Sequence, residues 1–152
     1  MVFTGFFKKL DADKQNRLDS VVIKTEKTLA PEALQDLCAS VGWAKRDPEL
    51  INRALANSLA VVSAWDGDLL VGFARATGDK VFNATIWDVA VRPSYQRLGL
   101  GKRIMREVIK QLDEFPISLI TLYADPGRDG FYKRLGFNAD PSGIRAMFRE
   151  RS

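Results

Sequence analysis

Histidine is absent from this 152-residue chain, and cysteine occurs once, as Cys38. Without histidine the protein lacks the commonest general base, the commonest metal ligand and every Ser-His or Cys-His nucleophile pair. A single cysteine excludes an intramolecular disulfide and is typical of a reducing compartment. We therefore expect no metal site, and we expect Cys38 to pack on a helix as a small hydrophobic side chain.

Long apolar runs and blocks of like charge are also missing. No apolar stretch approaches the length of a membrane span. The first residues lack the features of a secretory signal and are too short and too poor in Ser and Arg for a transit peptide. The basic residues give a net charge of +4 but are dispersed along the chain. We expect a soluble protein without membrane or nucleic-acid partners, whose charge suits a small polyanionic ligand.

The length of the chain indicates one domain. Residues 1–20 combine a short aromatic patch, which includes Phe6 and Phe7, with a polar stretch. We expect these residues to form a flexible tail and residues 21–152 to form a single domain.

The patterns predict helices that begin at Pro31 and Pro48, a central helix from Arg103, and a short helix at Asp129–Leu135 that Gly136 ends. They predict strands at Val21–Thr25, Leu59–Trp65, Leu69–Thr77, Thr85–Val91, Ile117–Ala124 and Ala146–Arg149.

The predicted strand Thr85–Val91 leads through a turn into the segment Gln96–Gly101, which reads Gln-Arg-Leu-Gly-Leu-Gly. The N-terminus of a helix presents unpaired N–H groups and the positive end of its dipole, and glycine lets a phosphate approach the backbone. Arg97, Lys102 and Arg103 add positive charge. The stretch Arg97 to Lys102, shaped by Gln96, is a candidate diphosphate cradle, although the spacing alone also fits an ordinary strand-to-helix turn.

The segment Gln96–Gly101, which follows Val-Arg-Pro, resembles the acetyl-CoA signature of the GNAT N-acetyltransferase superfamily, Gln/Arg-x-x-Gly-x-Gly/Ala after the fourth strand. Farther on, Phe131–Phe137 resembles the superfamily segment that ends in Tyr-x-x-x-Gly-Phe. More narrowly, Phe82–Val89 and Ala139–Ile144 resemble the plant plastid and cyanobacterial branch described as serotonin N-acetyltransferases or nuclear-shuttle-interactor-like proteins. The resemblance covers most of the chain, from about Leu34 to Phe148.

The resemblance implies an α/β (α+β) GNAT fold. Its central sheet is mixed and mostly antiparallel, has six to seven strands, is splayed between strands 4 and 5, and is flanked by about four helices. The implied reaction is direct attack of an amine on acetyl-CoA, a co-substrate, within a ternary complex. Such a transfer needs an anchored coenzyme, a neutral amine, a stabilised oxyanion and a proton for the leaving thiolate.

On the superfamily pattern, the cradle holds the diphosphate and the pantetheine arm pairs with the fourth strand. Val89 is expected to offer its N–H to the thioester oxygen, and Tyr132 to donate a proton to the coenzyme sulfur. A tyrosine with an ordinary pKa of about 10 stays protonated beside a thiol. The implied coenzyme-binding residues are Val89, Ala90, Val91, Gln96, Arg97, Leu98, Gly99, Leu100, Gly101, Lys102 and Tyr132.

The base that deprotonates the amine is open. With no histidine, a carboxylate acting directly or through water is the natural candidate. Asp125, at the end of the fifth predicted strand, is preferred, with Asp88 in the fourth strand or neither as alternatives. Strand alternation places Asp88 on the face opposite Trp87 and Val89. Many superfamily members carry asparagine where Asp125 stands and a small residue where Arg128 stands.

The narrower resemblance implies a small arylalkylamine acceptor such as serotonin or tryptamine, and hence melatonin biosynthesis. Trp43, Trp87 and Phe82 either flank such an amine or pack in the core. Two alternatives stay open: acetylation of a protein lysine or N-terminus, and a non-catalytic acyl-CoA-binding module. We expect a monomer or homodimer in the plastid stroma or the cyanobacterial cytoplasm.

Overall fold

The computed structural model describes residues 2–151, without the side chains at positions 2–7, 10, 11 and 14. The helices are α1 (Val2–Asp19), α2 (Pro31–Ser40), α3 (Pro48–Ala56), α4 (Leu100–Leu112) and α5 (Asp129–Lys133). The strands are β1 (Val21–Lys24), β2 (Ala60–Asp66), β3 (Leu69–Gly78), β4 (Asn83–Val91) and β5 (Leu119–Leu122). Single 3₁₀ turns lie at Pro93–Tyr95 and Pro141–Gly143.

The strands form one sheet in the order β1-β2-β3-β4-β5. Neighbouring strands are antiparallel except β4 and β5, which are parallel. This confirms the predicted α/β class with a mixed, mostly antiparallel sheet and flanking helices. The described chain forms five strands rather than the expected six to seven.

The predicted strand at Ala146–Arg149 is absent. Met147 and Phe148 are 94% and 75% exposed, and no strand of the described chain pairs with this segment. The N–H and C=O groups of a strand need a partner strand, which apolar side chains alone do not supply. The strand prediction is therefore wrong at this segment.

The chain divides into two compact units, one up to Leu122 and one from Tyr123 onwards. The first unit contains α1 to α4 and the whole sheet, and the second contains α5. The segment expected to be a flexible tail includes α1, whose sequence after Phe7 consists largely of good helix formers. The flexibility of residues 1–20 and a single domain over 21–152 stay predictions, and the side chains of Phe6 and Phe7 lie outside the described residues.

Helix α4 packs on the sheet through one fully buried stripe. Residues four apart on a helix lie on one face, which explains why the stripe repeats at this spacing. Its members are Leu100, Ile104, Met105, Val108 and Leu112. On β3, a Cβ at Gly72 would overlap Cδ1 of Ile104. An alanine at position 72 would therefore require the Ile104 side chain to shift, because the helix approaches the strand closely at this glycine.

Helices α2 and α3 pack on the other face of β3. Phe73 follows Gly72 directly, so its side chain points away from α4. Phe73 joins a buried cluster with Leu34, Leu37 and Leu55 from these two helices. Helix α3 begins at Pro48 as predicted, and Asp47 caps it, because the Asp47 carboxylate accepts hydrogen bonds from the N–H groups of Glu49 and Leu50.

The sheet opens between β4 and β5. The two strands pair from Asn83 with Leu119 to Ile86 with Leu122, where β5 ends. Strand β4 continues to Val91. From Asp88 to Val91, no β5 residue in the described chain lies beside β4, as expected for a splayed sheet.

Candidate active site

Strand β4 contains a β-bulge in its second half, the part that does not pair with β5. Between the pairs that Trp87 and Ala90 form with β3, two β4 residues, Asp88 and Val89, lie opposite Ala74 alone. Asp88 has a left-handed φ of 56°. A bulge of this kind bends the strand and turns the backbone that follows it.

The bulge also breaks the alternation of side chains. The Asp88 carboxylate contacts Arg75, which lies opposite Trp87 on the neighbouring strand. Directly paired residues project to the same face of a sheet, so a contact with Arg75 places the Asp88 carboxylate on the face of Trp87. The prediction that Asp88 points to the face opposite Trp87 is therefore wrong, because the extra residue of the bulge interrupts the alternation of side chains.

Both oxygens of the Asp88 carboxylate are occupied by guanidinium groups. Arg46 donates to Oδ1 at 2.9 Å and Arg75 donates to Oδ2 at 2.6 Å, and the Asp88 side chain is 11% exposed. Burial raises the pKa of Asp88, but the hydrogen bonds from the two arginines outweigh it and hold the pKa below its usual range. A carboxylate paired in this way is a poor proton acceptor.

The turn after β4 is tied to the sheet by side chains. Arg92 donates to the Leu70 carbonyl and to Asp36, the latter at 2.6 Å. The buried Tyr95 donates its hydroxyl hydrogen to Asp66 at 2.5 Å. This bond raises the pKa of Tyr95 and lowers that of Asp66.

The Gln96 side chain donates back to the Val91 carbonyl at 2.8 Å. The start of the loop is thus linked to the end of β4. A loop held in this way presents its backbone in one arrangement rather than many, which lowers the entropy cost of binding.

The loop that follows leaves a row of backbone donors free. Arg97 and Gly99 both adopt left-handed conformations, with φ of 62° and 85°. Within the described residues, no hydrogen bond has its donor in the N–H groups from Arg97 to Lys102, and the next N–H, of Arg103, donates to the Gly99 carbonyl. Left-handed residues between right-handed ones make a concave set of N–H groups that binds anions. With the dipole of α4 behind it, this loop suits a diphosphate.

The charges around the loop differ partly from the expectation. Arg97 and Lys102 are exposed beside it. Arg103 instead donates to the carbonyls of Leu18 and Val21, at the junction of α1 and β1. Arg97 and Lys102 therefore supply positive charge beside this loop, whereas the Arg103 guanidinium is engaged at the junction of α1 and β1.

In the second unit, Asp125 begins a tight turn. The Arg128 N–H donates to the Asp125 carbonyl at 3.0 Å, and Gly127 has a φ of 79°. Proline at the second position and a left-handed glycine at the third are typical of a type II turn. Gly127 therefore belongs to the turn that precedes helix α5, which begins at Asp129.

Tyr132 lies at the end of α5, in a Schellman motif. The Phe137 N–H donates to the Tyr132 carbonyl and the Gly136 N–H to the Lys133 carbonyl, while Gly136 has a φ of 93°. The rings of Tyr132 and Phe137 meet edge to face, with centroids 6.3 Å apart. The spacing Tyr-x-x-x-Gly-Phe is therefore that of a helix cap whose apolar contact involves the tyrosine itself. The predicted role of Gly136 as the helix end is confirmed.

The phenol of Tyr132 is held in its protonated form. Burial raises its pKa above the usual 10.0, the charge of Asp125 raises it further, and Arg128 lowers it only in part. A phenol with such a pKa keeps its proton at neutral pH and can donate it to a thiolate.

The aromatic residues considered for an acceptor pocket differ in their surroundings. Trp43 packs against the cluster of α2 and α3, which favours a core role. The Trp87 ring donates to the Thr77 hydroxyl at 2.9 Å, and Phe82 is 70% exposed. Among the side chains that the structure describes, no three acidic, Cys or His groups lie close enough to hold a metal ion. No helix within residues 2–151 is long and apolar enough to cross a membrane.

Residues 29–137 match the acetyltransferase (GNAT) family. The chain belongs to this family. It is 46% identical over 135 residues to the Porphyra purpurea protein named uncharacterized N-acetyltransferase ycf52, covering 86% of this chain and 78% of the relative. The structure of a meticillin-resistant Staphylococcus aureus protein, described as a protein of unknown function and probable acetyltransferase, superposes with a TM-score of 0.77 at 26% identity, over 86% of this chain and 99% of that one.

Two plant relatives have names that state different acceptors. Serotonin N-acetyltransferase 2, chloroplastic, of Oryza sativa subsp. japonica is 45% identical over 79% of this chain and 62% of its own. Histone acetyltransferase TAP1 of Glycine max is 45% identical over 76% of this chain and 54% of its own. The chain is thus an acetyl-CoA-dependent N-acetyltransferase of the GNAT family, while its relatives differ in what they acetylate.

Several residues that shape this region escape sequence reasoning. Arg46, Arg75 and Asp66 act through partners 42, 13 and 29 positions away. Two features of the sequence could have pointed to them: Arg75 is a charged residue inside the apolar strand β3, and Tyr95 directly precedes Gln96. Neither feature indicates which distant residue the side chain contacts.

Proposed function

We propose that this GNAT enzyme transfers the acetyl group of acetyl-CoA to the primary amine of a small arylalkylamine such as serotonin or tryptamine. Binding of acetyl-CoA is supported by the row of free N–H groups from Arg97 to Lys102 at the start of α4. The acceptor part is supported by the similarity to the rice serotonin N-acetyltransferase.

In the proposed mechanism, the cradle binds the diphosphate and the open edge of β4 from Val89 to Val91 binds the pantetheine arm. The amine nitrogen attacks the thioester carbon, and the N–H of Val89 stabilises the oxyanion. An oriented donor in a dry site contributes about 3 kcal/mol to such a step.

Collapse of the tetrahedral intermediate breaks the C–S bond. Tyr132 donates its proton to the departing thiolate and regains one from water. Its raised pKa means that the phenol carries this proton at neutral pH, not that the phenol is a stronger acid. The amine proton passes to Asp125, directly or through water. We prefer Asp125 to Asp88 because both oxygens of Asp88 are engaged by arginines.

Acetylation of a protein lysine or N-terminus is the second candidate function, because a soybean relative is named a histone acetyltransferase. A non-catalytic acyl-CoA-binding module is a third possibility, which the protonated Tyr132 in its matched motif argues against. We further propose the plastid stroma or the cyanobacterial cytoplasm as the location, from the names and organisms of relatives, and a monomer or homodimer without a metal.

The test is acetyl-CoA-dependent thiol release with serotonin, tryptamine, polyamines, aminoglycosides and lysine peptides, at neutral and alkaline pH. Release with the indole amines and not with the peptides supports the proposed acceptor. Release with peptides alone moves the assignment to a protein substrate. Tight acetyl-CoA binding without release from any acceptor contradicts the small-amine proposal.

A further inference from the structure

The Asp88 carboxylate joins three parts of the first unit. Asp88 lies in β4, Arg75 in β3, and Arg46 in the loop between α2 and α3. The Arg46 carbonyl in turn accepts a hydrogen bond from the Gln35 side chain at 2.5 Å. We call Asp88 and its two arginines the Asp88 network.

The backbone of Asp88 needs such support. Its φ of 56° lies in the left-handed region, which is unfavourable for every residue with a Cβ, although less so for aspartate and asparagine than for most. Strained residues of this kind persist where the surrounding contacts over-determine them, and they cluster at functional sites. Two charge-assisted hydrogen bonds to a side chain that is 11% exposed provide that support here.

The position of the network gives it a consequence for the reaction. The bulge sets the direction of β4 from Val89 to Val91, the part that continues beyond the end of β5. The proposed function assigns these backbone groups to the pantetheine arm and the thioester oxygen. An error of about 1 Å in their placement is enough to reduce turnover severely.

We propose that Asp88 is a positioning residue, whose carboxylate, fixed by Arg46 and Arg75, holds the β4 bulge in the shape that binds and orients the acyl-coenzyme. This inference rests on the proposed function. Asp88 acts through the backbone of Val89 to Val91 and not as a proton acceptor, since both of its oxygens are already engaged.

Three substitutions separate positioning from base catalysis. Asp88→Asn keeps a side-chain oxygen that can accept a hydrogen bond, and asparagine tolerates a left-handed φ. Asp88→Gly removes the acceptor but also tolerates this φ. Asp88→Ala removes the acceptor and disfavours this φ. A positioning role predicts kcat/KM in the order wild type, Asn, Gly, Ala, with about a tenfold loss from Gly to Ala. A base role predicts that all three lose activity equally.

The experiment measures kcat and KM, the pH profile of kcat/KM, CoA binding by calorimetry, and amide hydrogen exchange at Val89 to Val91. Asp79→Asn is the matched control, because its carboxylate accepts three backbone N–H groups in the β3–β4 turn and touches neither arginine. We expect exchange at Val89 to Val91 to rise in Asp88→Ala and not in Asp79→Asn. We also expect the acidic limb of the pH profile to be unchanged in Asp88→Asn.

Equal losses in all three variants, with a lost acidic limb, overturn the inference while the proposed function stands. Unchanged exchange at Val89 to Val91 in Asp88→Ala also overturns it. Wild-type protein that neither binds CoA nor releases thiol overturns the proposed function itself.

Discussion

The surroundings of Asp88 and Tyr132 shift their pKa values in opposite directions, and each shift reinforces the protonation state that the side chain ordinarily has at neutral pH. Two guanidinium groups keep Asp88 ionised despite its burial, whereas burial and the neighbouring Asp125 keep the Tyr132 phenol neutral. The ionised Asp88 carboxylate can thereby bind the two arginines, and the neutral Tyr132 phenol has a proton that it can donate.

Replacing Tyr132 by Phe is expected to lower kcat by about a hundredfold or more, because a positioned general acid typically contributes that much. CoA affinity should change little, since the ring and its contact with Phe137 remain. The matched control is Tyr123→Phe in the same unit, which should keep full activity. Steady-state kinetics and calorimetry measure both quantities, and an unchanged kcat in Tyr132→Phe would discard the proposed role.

Acid should weaken the fold partly through Asp88. Its pKa in the folded protein lies below the unfolded value of about 3.9. The ionised carboxylate therefore stabilises the fold fully above that value, and this contribution is lost as the pH falls through the lower folded pKa. Urea unfolding should show Asp88→Asn less stable than wild type near neutral pH, with a smaller difference near pH 3. A difference that stays constant with pH would contradict this.

At the scale of elements, the junction of β4 and α4 combines a turn that is hydrogen-bonded to the sheet with backbone N–H groups that have no acceptor among the described residues. The turn at Pro93–Tyr95 is tied to β2 through Asp66, and Gly99 begins α4 in a left-handed conformation. Because the turn is fixed, the first N–H groups of the helix point in one set of directions. A polyanion can then bind without first ordering the loop.

Replacing Gly99 by Ala tests this junction. The left-handed backbone costs an alanine about 1–2 kcal/mol, and the new Cβ stands where the diphosphate is proposed to approach. Gly67→Ala is the control, since Gly67 in the β2–β3 turn is also left-handed, with φ of 58°, and has equally open surroundings. Thermal unfolding should show similar destabilisation of both variants, while calorimetry should show lost CoA affinity only in Gly99→Ala. Equal CoA affinity in the two variants would argue against the cradle.

At the scale of the whole molecule, the charge and the missing histidine act together. The chain has a net charge of +4, which favours encounter with a polyanionic coenzyme. Catalysis must use groups other than imidazole, and a tyrosine and carboxylates are the remaining candidates.

CoA binding should weaken as salt rises, because ions screen charges over about 10 Å at 0.1 M ionic strength. Acetylpantetheine, which lacks the diphosphate, is the matched control and should show a much flatter dependence. Calorimetric titrations across a range of sodium chloride concentrations compare the two ligands. Equal salt dependence would show that the diphosphate is not what the positive charge binds.

The parts that could be predicted are those whose partners lie a few residues apart. Three features are formed by residues of a single turn or helix end, so the local sequence determines their geometry. They are the loop Gln96–Gly101, the Asp47 cap and the Tyr132–Phe137 motif. The buried stripe of α4 is likewise visible as a repeat. The absence of histidine determines which proton carriers remain.

Only the tertiary structure decided the contacts between distant residues. Asp88 meets Arg46 across 42 positions, the bulge depends on how β4 registers with β3, and Ala146–Arg149 is not among the strands of the described chain. Period-two alternation is a local rule, and one extra residue in a strand reverses it. Register and long-range pairing are set by packing of the whole sheet, which no short segment encodes by itself.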